Sequence, residues 1–169
     1  MPKIGVAISV PEPFGGELRR HRAAFGDPMA EAVPAHVTLL PPMEVADSEL
    51  DDVYAGLEVA AAEHERFTLR LRGTGTFRPV SPVVFVAVSE GISCTEQLAK
   101  TVRSGLLRGE LDFPYHPHVT VAHHLDDEAL DRAFNELASF ECHFEVNEFA
   151  LYLHDDANGW NTHRAFGLS

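Results

Sequence analysis

The sequence predicts an α+β fold built from two related halves, and three observations carry that prediction. Strand-length apolar runs alternate with stretches of helical periodicity along the whole chain. A five-residue pattern is written twice, as HVTLL from His36 and as HVTVA from His118. Each copy is followed closely by a helical segment. Two buried strands would share Val37, Leu39, Val119 and Val121 for packing reasons alone. Packing does not account for a His and a Thr at matched positions, since neither is a typical core residue.

The elements follow in order. Lys3–Val10 is β-branched and apolar and reads as a strand, stopped by Pro11 and Pro13. Phe14–Asp27 reads as a short helix with its Arg and His residues outside, ended by Gly26 and Pro28. Ala35–Leu40, between Pro34 and the pair Pro41-Pro42, has strand length. Asp47–Glu65 reads as a helix with Asp47 as N-cap and Leu50, Val53, Tyr54, Leu57 and Ala61 on one face. Phe67–Phe77 alternates and then turns glycine-rich. Pro82–Ser89 reads as a buried strand.

In the second half, Ser93–Leu107 reads as a helix with Ser93 and Glu96 at capping-box spacing. His116–Leu125 is the second His strand, and Asp126–Phe140 an acid-started helix. Cys142–Asp155 reads as one long alternating strand, and Gly159–Ser169 as a last strand after a turn at Asn158-Gly159. The boundary between the halves is expected near residues 90–92.

Composition narrows the function. A hydrophobic fraction of 45% is enough for a sizeable core, so disorder is not expected. The net charge of −13 argues against sustained binding to long nucleic acid, which needs Lys and Arg against its phosphates. It leaves room for a nucleotide or an RNA end in a local pocket. Cys94 and Cys142 make no disulfide framework or Cys-rich zinc site. The first residues lack the flanks of a signal peptide, and the apolar run Val83–Val88 is too short to span a bilayer. A reduced, cytoplasmic monomer without membrane contact is expected.

Residues i and i+2 of a strand share a face. His36 and Thr38 therefore point one way and Val37 and Leu39 the other, and His118 and Thr120 repeat the arrangement. If the halves face each other, two imidazoles and two hydroxyls meet in one cleft. That set suits a phosphodiester. One neutral imidazole serves as general base and one protonated imidazole as general acid, both accessible near neutral pH. The Thr hydroxyls donate to non-bridging phosphoryl oxygens. Neither a metal nor another cofactor is required.

With these residues the chain resembles the two-histidine (2H) phosphoesterase superfamily, and within it the 2′-5′ RNA ligase (LigT-like) or RNA 2′,3′-cyclic phosphodiesterase branch. The matching stretches are Val33–Pro42, Gly73–Val88 and Phe113–Leu125. The resemblance implies a single two-lobed domain over residues 1–169. Two pseudo-symmetric antiparallel-sheet lobes with outer helices would surround a central cleft, with motif strands at 35–40 and 117–122. It implies hydrolysis of 2′,3′-cyclic phosphate ends to 2′-phosphate, with His36 and His118 catalytic and Thr38 and Thr120 on the phosphate. His118 is the preferred base and His36 the acid, though the sequence allows the reverse.

The acidic charge departs from what a dedicated RNA binder would carry. Alternatives are another small cyclic or 2′-5′-linked nucleotide, or a catalytically silent nucleotide- or RNA-end-binding protein. Tyr115, Phe77 and Trp160 are candidates for stacking on a base, against plain packing at strand ends. Arg78 and Arg164 are candidates for phosphate contacts, against surface placement. His116, His123 and His124 offer a conceivable metal cluster, against loop or surface histidines. The other histidines read as surface or structural residues.

Overall fold

The computed structural model describes residues 1–109, 111 and 114–169. Phe113, at the start of the expected second-motif stretch, lies outside the described residues. The first half of the chain runs β1 (Lys3–Ser9), α1 (Phe14–Ala24), α2 (Met29–Ala32), β2 (His36–Glu44), α3 (Leu50–Ala62) and β3 (Phe67–Thr76). It continues with β4 (Val83–Glu90), α4 (Ile92–Val102), β5 (His118–His123), α5 (Asp127–Glu136), β6 (Glu141–Val146), β7 (Glu148–Asp155) and β8 (Gly159–Gly167).

The strands form two four-stranded sheets, ordered β2-β1-β7-β8 and β5-β4-β3-β6. Every pairing is antiparallel. The α+β class, the two sheets and the outer helices are as expected, but the sheets are not the two sequence halves. The first sheet takes its strands from both ends of the chain and the second from the middle. The expected boundary near residues 90–92 falls inside the β4–α4 connection.

Helices cross between the sheets. α1 follows β1 of the first sheet but packs on β5 of the second, while α4 follows β4 of the second but packs on β2 of the first. α3 covers β8, and α5 covers β3, β4 and β5. This exchange joins the two sheets through one continuous core, in which Ile4, Leu39 and Leu151 meet Leu69, Leu98 and Val121.

Four local expectations need correction. Cys142–Asp155 is two strands, β6 and β7, in different sheets, with Asn147 at the crossover. Asp47 lies in a 3-10 turn, and α3 starts after Glu49 without a side-chain cap. α4 is capped by the backbone of Gly91 at φ +90°, so Ser93 and Glu96 make no capping box. β2 continues through Pro41 and Pro42, because it is an edge strand where missing N–H groups cost no ladder bonds. The acid start of α5 holds, with Asp126 accepting the Ala129 N–H at 2.9 Å.

Candidate active site

Both His-x-Thr strands, β2 and β5, are sheet edges, and they pack beside each other where the two sheets meet. Their burial is the same residue for residue. His36 and Thr38 are half-buried and Val37, Leu39 and Leu40 buried; His118 and Thr120 are half-buried and Val119, Val121 and Ala122 buried. The period-two reading therefore places imidazole and hydroxyl on one face and core residues on the other. Among the described residues the Thr38 carbonyl accepts the Tyr115 hydroxyl, and neither Thr hydroxyl has a protein partner.

The two histidines are held in the same way. His36 Nδ1 lies 2.7 Å from the Pro34 carbonyl, and His118 Nδ1 lies 2.6 Å from the His116 carbonyl. A carbonyl only accepts, so each Nδ1 carries the proton and donates it. Nε2 is then the free nitrogen of each ring, able to take a proton as base or to give one as acid. Burial lowers the pKa of His36, the Pro34 hydrogen bond opposes this, and the charge of Arg22 lowers it further. Burial also lowers that of His118, against its bond to the His116 carbonyl, with His116 and His36 adding to the depression.

The cleft has a volume of about 390 Å³, and His36, Thr38 and Thr120 line it. It is open on the first sheet and filled on the second, and the strand register shows why. Ala7 of β1 pairs with Thr38. Phe85 of β4 pairs with Thr120. Beside the first motif a methyl group leaves space over Gly5 and Ala7, walled by Tyr152 and Trp160. Beside the second motif the Phe85 ring takes that space. Gly75 makes room for the ring, since a Cβ there would meet it at 2.6 Å. Phe77 packs on Phe85 at 4.6 Å and edge-on against His118 at 5.0 Å. His118 thus sits in an aromatic box beside the open space, while His36 stands within it.

The weaker candidates separate. The Tyr115 hydroxyl donates to the Thr38 carbonyl at 2.6 Å, and burial pushes its pKa up. It ties the approach to the second motif onto the first motif strand, and Tyr115 is not among the residues lining the cleft. Arg78 is paired with Asp131 at 2.9 Å and Asp127 at 3.7 Å. Arg164 is paired with Glu58 and lies over the Tyr54 and Phe166 rings. Neither arginine lines the cleft. Phe77 shapes the pocket of His118, and Trp160 does line the cleft. His116 belongs to the Phe77–Phe85 cluster. His123 and His124 stack on each other at 3.6 Å.

Sequence reading missed Arg22 and the small residues Gly5 and Ala7. The sequence puts Arg22 on the outer face of α1, but it is buried, on the stripe that also holds Gly15 and Leu18. That i, i+3, i+7 spacing was the available signal. The open floor had none, because Ala7 gains meaning only when paired against Thr38.

Two neighbouring edge strands carrying matched His-x-Thr faces are the pattern of the two-histidine phosphoesterases. A sequence profile described as the 2′-5′ RNA ligase superfamily matches residues 10–158. The chain belongs to that superfamily. Among curated relatives, proteins of Bacillus cytotoxicus and Bacillus cereus named "Putative phosphoesterase" are each 28% identical over 168 residues, spanning 98% of this chain and 96% of the relative. Escherichia coli LigT in complex with 3′-AMP superposes with a TM-score of 0.71 at 21% identity, over 100% of this chain and 99% of LigT. A Thermus thermophilus protein superposes with a TM-score of 0.70 at 25% identity, over 98% and 97%. The fold is that of LigT, and the family points to phosphodiester hydrolysis.

Proposed function

We propose that this protein hydrolyses 2′,3′-cyclic phosphate ends of nucleotides or short RNA to 2′-phosphates, without a metal. The observation that carries the reading is the matched Nδ1-to-carbonyl bond of His36 and His118, which readies both Nε2 atoms for proton transfer. His118 accepts a proton from water, whose oxygen attacks phosphorus. The bond from phosphorus to the ribose 3′ oxygen breaks on the opposite side, and His36 donates a proton to that oxygen. The open floor lies beside His36, so the nucleoside and its leaving oxygen belong there, which favours His36 as the acid. Thr38 and Thr120 donate to the non-bridging oxygens. The cleft volume suits one nucleotide better than a long chain. Escherichia coli LigT, whose crystal structures hold 3′-AMP, ATP and NADP+, provides a parallel for nucleotide binding in this fold.

The test is product analysis across 2′,3′-cyclic nucleotides, a short RNA with a cyclic end, 2′-5′ dinucleotides and ADP-ribose cyclic phosphate, with and without EDTA. Conversion of the cyclic ends, unchanged by EDTA, is expected. Binding without conversion would make the protein a nucleotide-end binder. Loss on chelation with recovery on zinc would return His116, His123 and His124 to consideration as ligands.

The pH profile follows from the two depressed histidines. The ordinary value is near 6.5, and both rings fall below it in the free protein. The productive form holds one proton between the two rings, and it becomes scarce as pH rises through these lowered values. A bell in kcat/KM centred below pH 6.5 is therefore expected, with apparent constants belonging to the pair. Bound phosphate favours the protonated acid, so kcat should decline at higher pH than kcat/KM. An alkaline limb of kcat/KM above pH 7 would contradict the burial effect.

With 26 acidic against 13 basic residues, few phosphates beyond the reacting one are neutralised. KM for a short cyclic-ended RNA is expected to vary weakly between low and physiological salt. A steep salt slope, with long RNA bound far more tightly than a dinucleotide, would count against the small-substrate reading.

A further inference from the structure

The acid–base scheme leaves a buried ion pair at the cleft unused. Arg22 Nε donates to Asp27 Oδ2 at 2.8 Å, with the two side chains 10% and 1% exposed. Asp27 is heavily engaged. Its Oδ1 accepts the Met29 N–H at 2.9 Å, and its Oδ2 also accepts the His123 N–H at 3.1 Å, at the end of β5. One carboxylate thus fixes the end of α1, the start of α2 and the second-motif strand around a single arginine.

The guanidinium is held by its Nε alone. Among the described residues neither Nη has a protein acceptor, and neither is sealed inside the protein as a buried, unpartnered group. Both therefore keep some exposure, and Arg22 lines the cleft together with His36, Thr38 and Thr120, where among the described residues it is the sole Lys or Arg. A guanidinium stripped of most of its water and pinned by a carboxylate is costly to bury. Two unpartnered Nη groups match a phosphoryl group, whose oxygens accept a paired donation. A purely structural pair needs only the Nε–Asp27 bond, and leaves the open side of the fork without a role.

We propose that Arg22 is the phosphoryl-binding cation of the cleft and that Asp27 is its positioning residue. The Nη groups donate to non-bridging oxygens of the phosphate that Thr38 and Thr120 also hold. The proposal rests on the phosphoesterase reading of this cleft. The charge of Arg22 adds to the burial that lowers the pKa of His36. An arriving phosphate offsets that charge and so favours the protonated form of His36.

The test uses inorganic phosphate as a probe in calorimetric titration, alongside kinetics on a cyclic nucleotide that the wild-type protein converts. Arg22→Gln is expected to weaken phosphate binding roughly 10- to 100-fold, the range for charge-assisted hydrogen bonds. Arg22→Lys keeps the charge but loses the fork, and should recover only part of the affinity. If Arg22→Gln does not fold, Arg22→Lys carries the test, with affinity below wild type expected. Asp27→Asn should weaken binding less than Arg22→Gln and raise KM more than it lowers kcat. Wild-type affinity for phosphate in a folded Arg22→Gln or Arg22→Lys protein would overturn the proposal, as would a wild-type protein that binds no phosphate. Undiminished turnover in folded Arg22→Gln would also overturn it while leaving the phosphoesterase reading intact. Phosphate binding that depends on Arg22, in a protein that converts no diester, would uphold it while the activity reading fails.

Discussion

His36→Ala and His118→Ala are each expected to slow the chemical step by roughly 10²–10⁴-fold, the usual contribution of a general acid or base. The double variant should lose far less than the product of the two, because groups acting in one step are not additive. Thr38→Ala and Thr120→Ala should cost less, each removing one donor while both proton transfers remain. All four side chains are half-buried on the face of their strand opposite the core residues, so the fold should persist. Single-turnover rates with circular dichroism decide the matter. A folded His118→Ala protein of nearly full activity would make the second motif a structural feature. Full activity in His36→Ala would do the same for the first.

Ala7→Phe should come close in effect. It writes into the first sheet the residue that Phe85 supplies to the second, opposite Thr38 as Phe85 stands opposite Thr120. The new ring fills the floor beside His36 and displaces the nucleoside from its leaving-group position. Misplacement by an ångström costs on the order of 10²-fold, and a loss in kcat/KM of at least that size is expected. Overpacking should remain within about 1–3 kcal/mol, because the ring enters open space. Unfolding curves and kinetics on the same sample separate the two effects. Unchanged kinetics in a folded Ala7→Phe protein would mean that the substrate does not use this floor.

The site was more legible than the topology, for a physical reason. A strand's period of two is local, so His36 with Thr38 and His118 with Thr120 declared their shared faces without any knowledge of pairing. Which strands pair is a long-range matter. The alternation of Cys142–Asp155 looks continuous, yet the positions it gives to the main core change from Cys142, Phe144 and Val146 to Phe149 and Leu151, while Ala150 and Tyr152 are buried on the other face of β7. That phase slip at Asn147 is where the chain passes from one sheet to the other. The caps expected at Asp47 and Ser93 are absent because a 3-10 turn precedes α3 and the left-handed Gly91 starts α4 one residue before Ser93. The pairing of Arg78 with Asp127 and Asp131 could not be read from positions so far apart in sequence, nor could the reach of Asp27 to the His123 N–H.

The sheet order also bears on how the protein is made. A nascent chain that has emerged as far as Val146 already contains every strand of the second sheet and both histidines. Its first sheet is still only β1 and β2, lacking β7 and β8. Tyr152 and Trp160, which wall the open side of the cleft, have not yet left the ribosome. The reactive groups are thus all synthesised before the surface that would hold a nucleoside exists, and a shortened translation product would carry the signature of the enzyme without a place for its substrate.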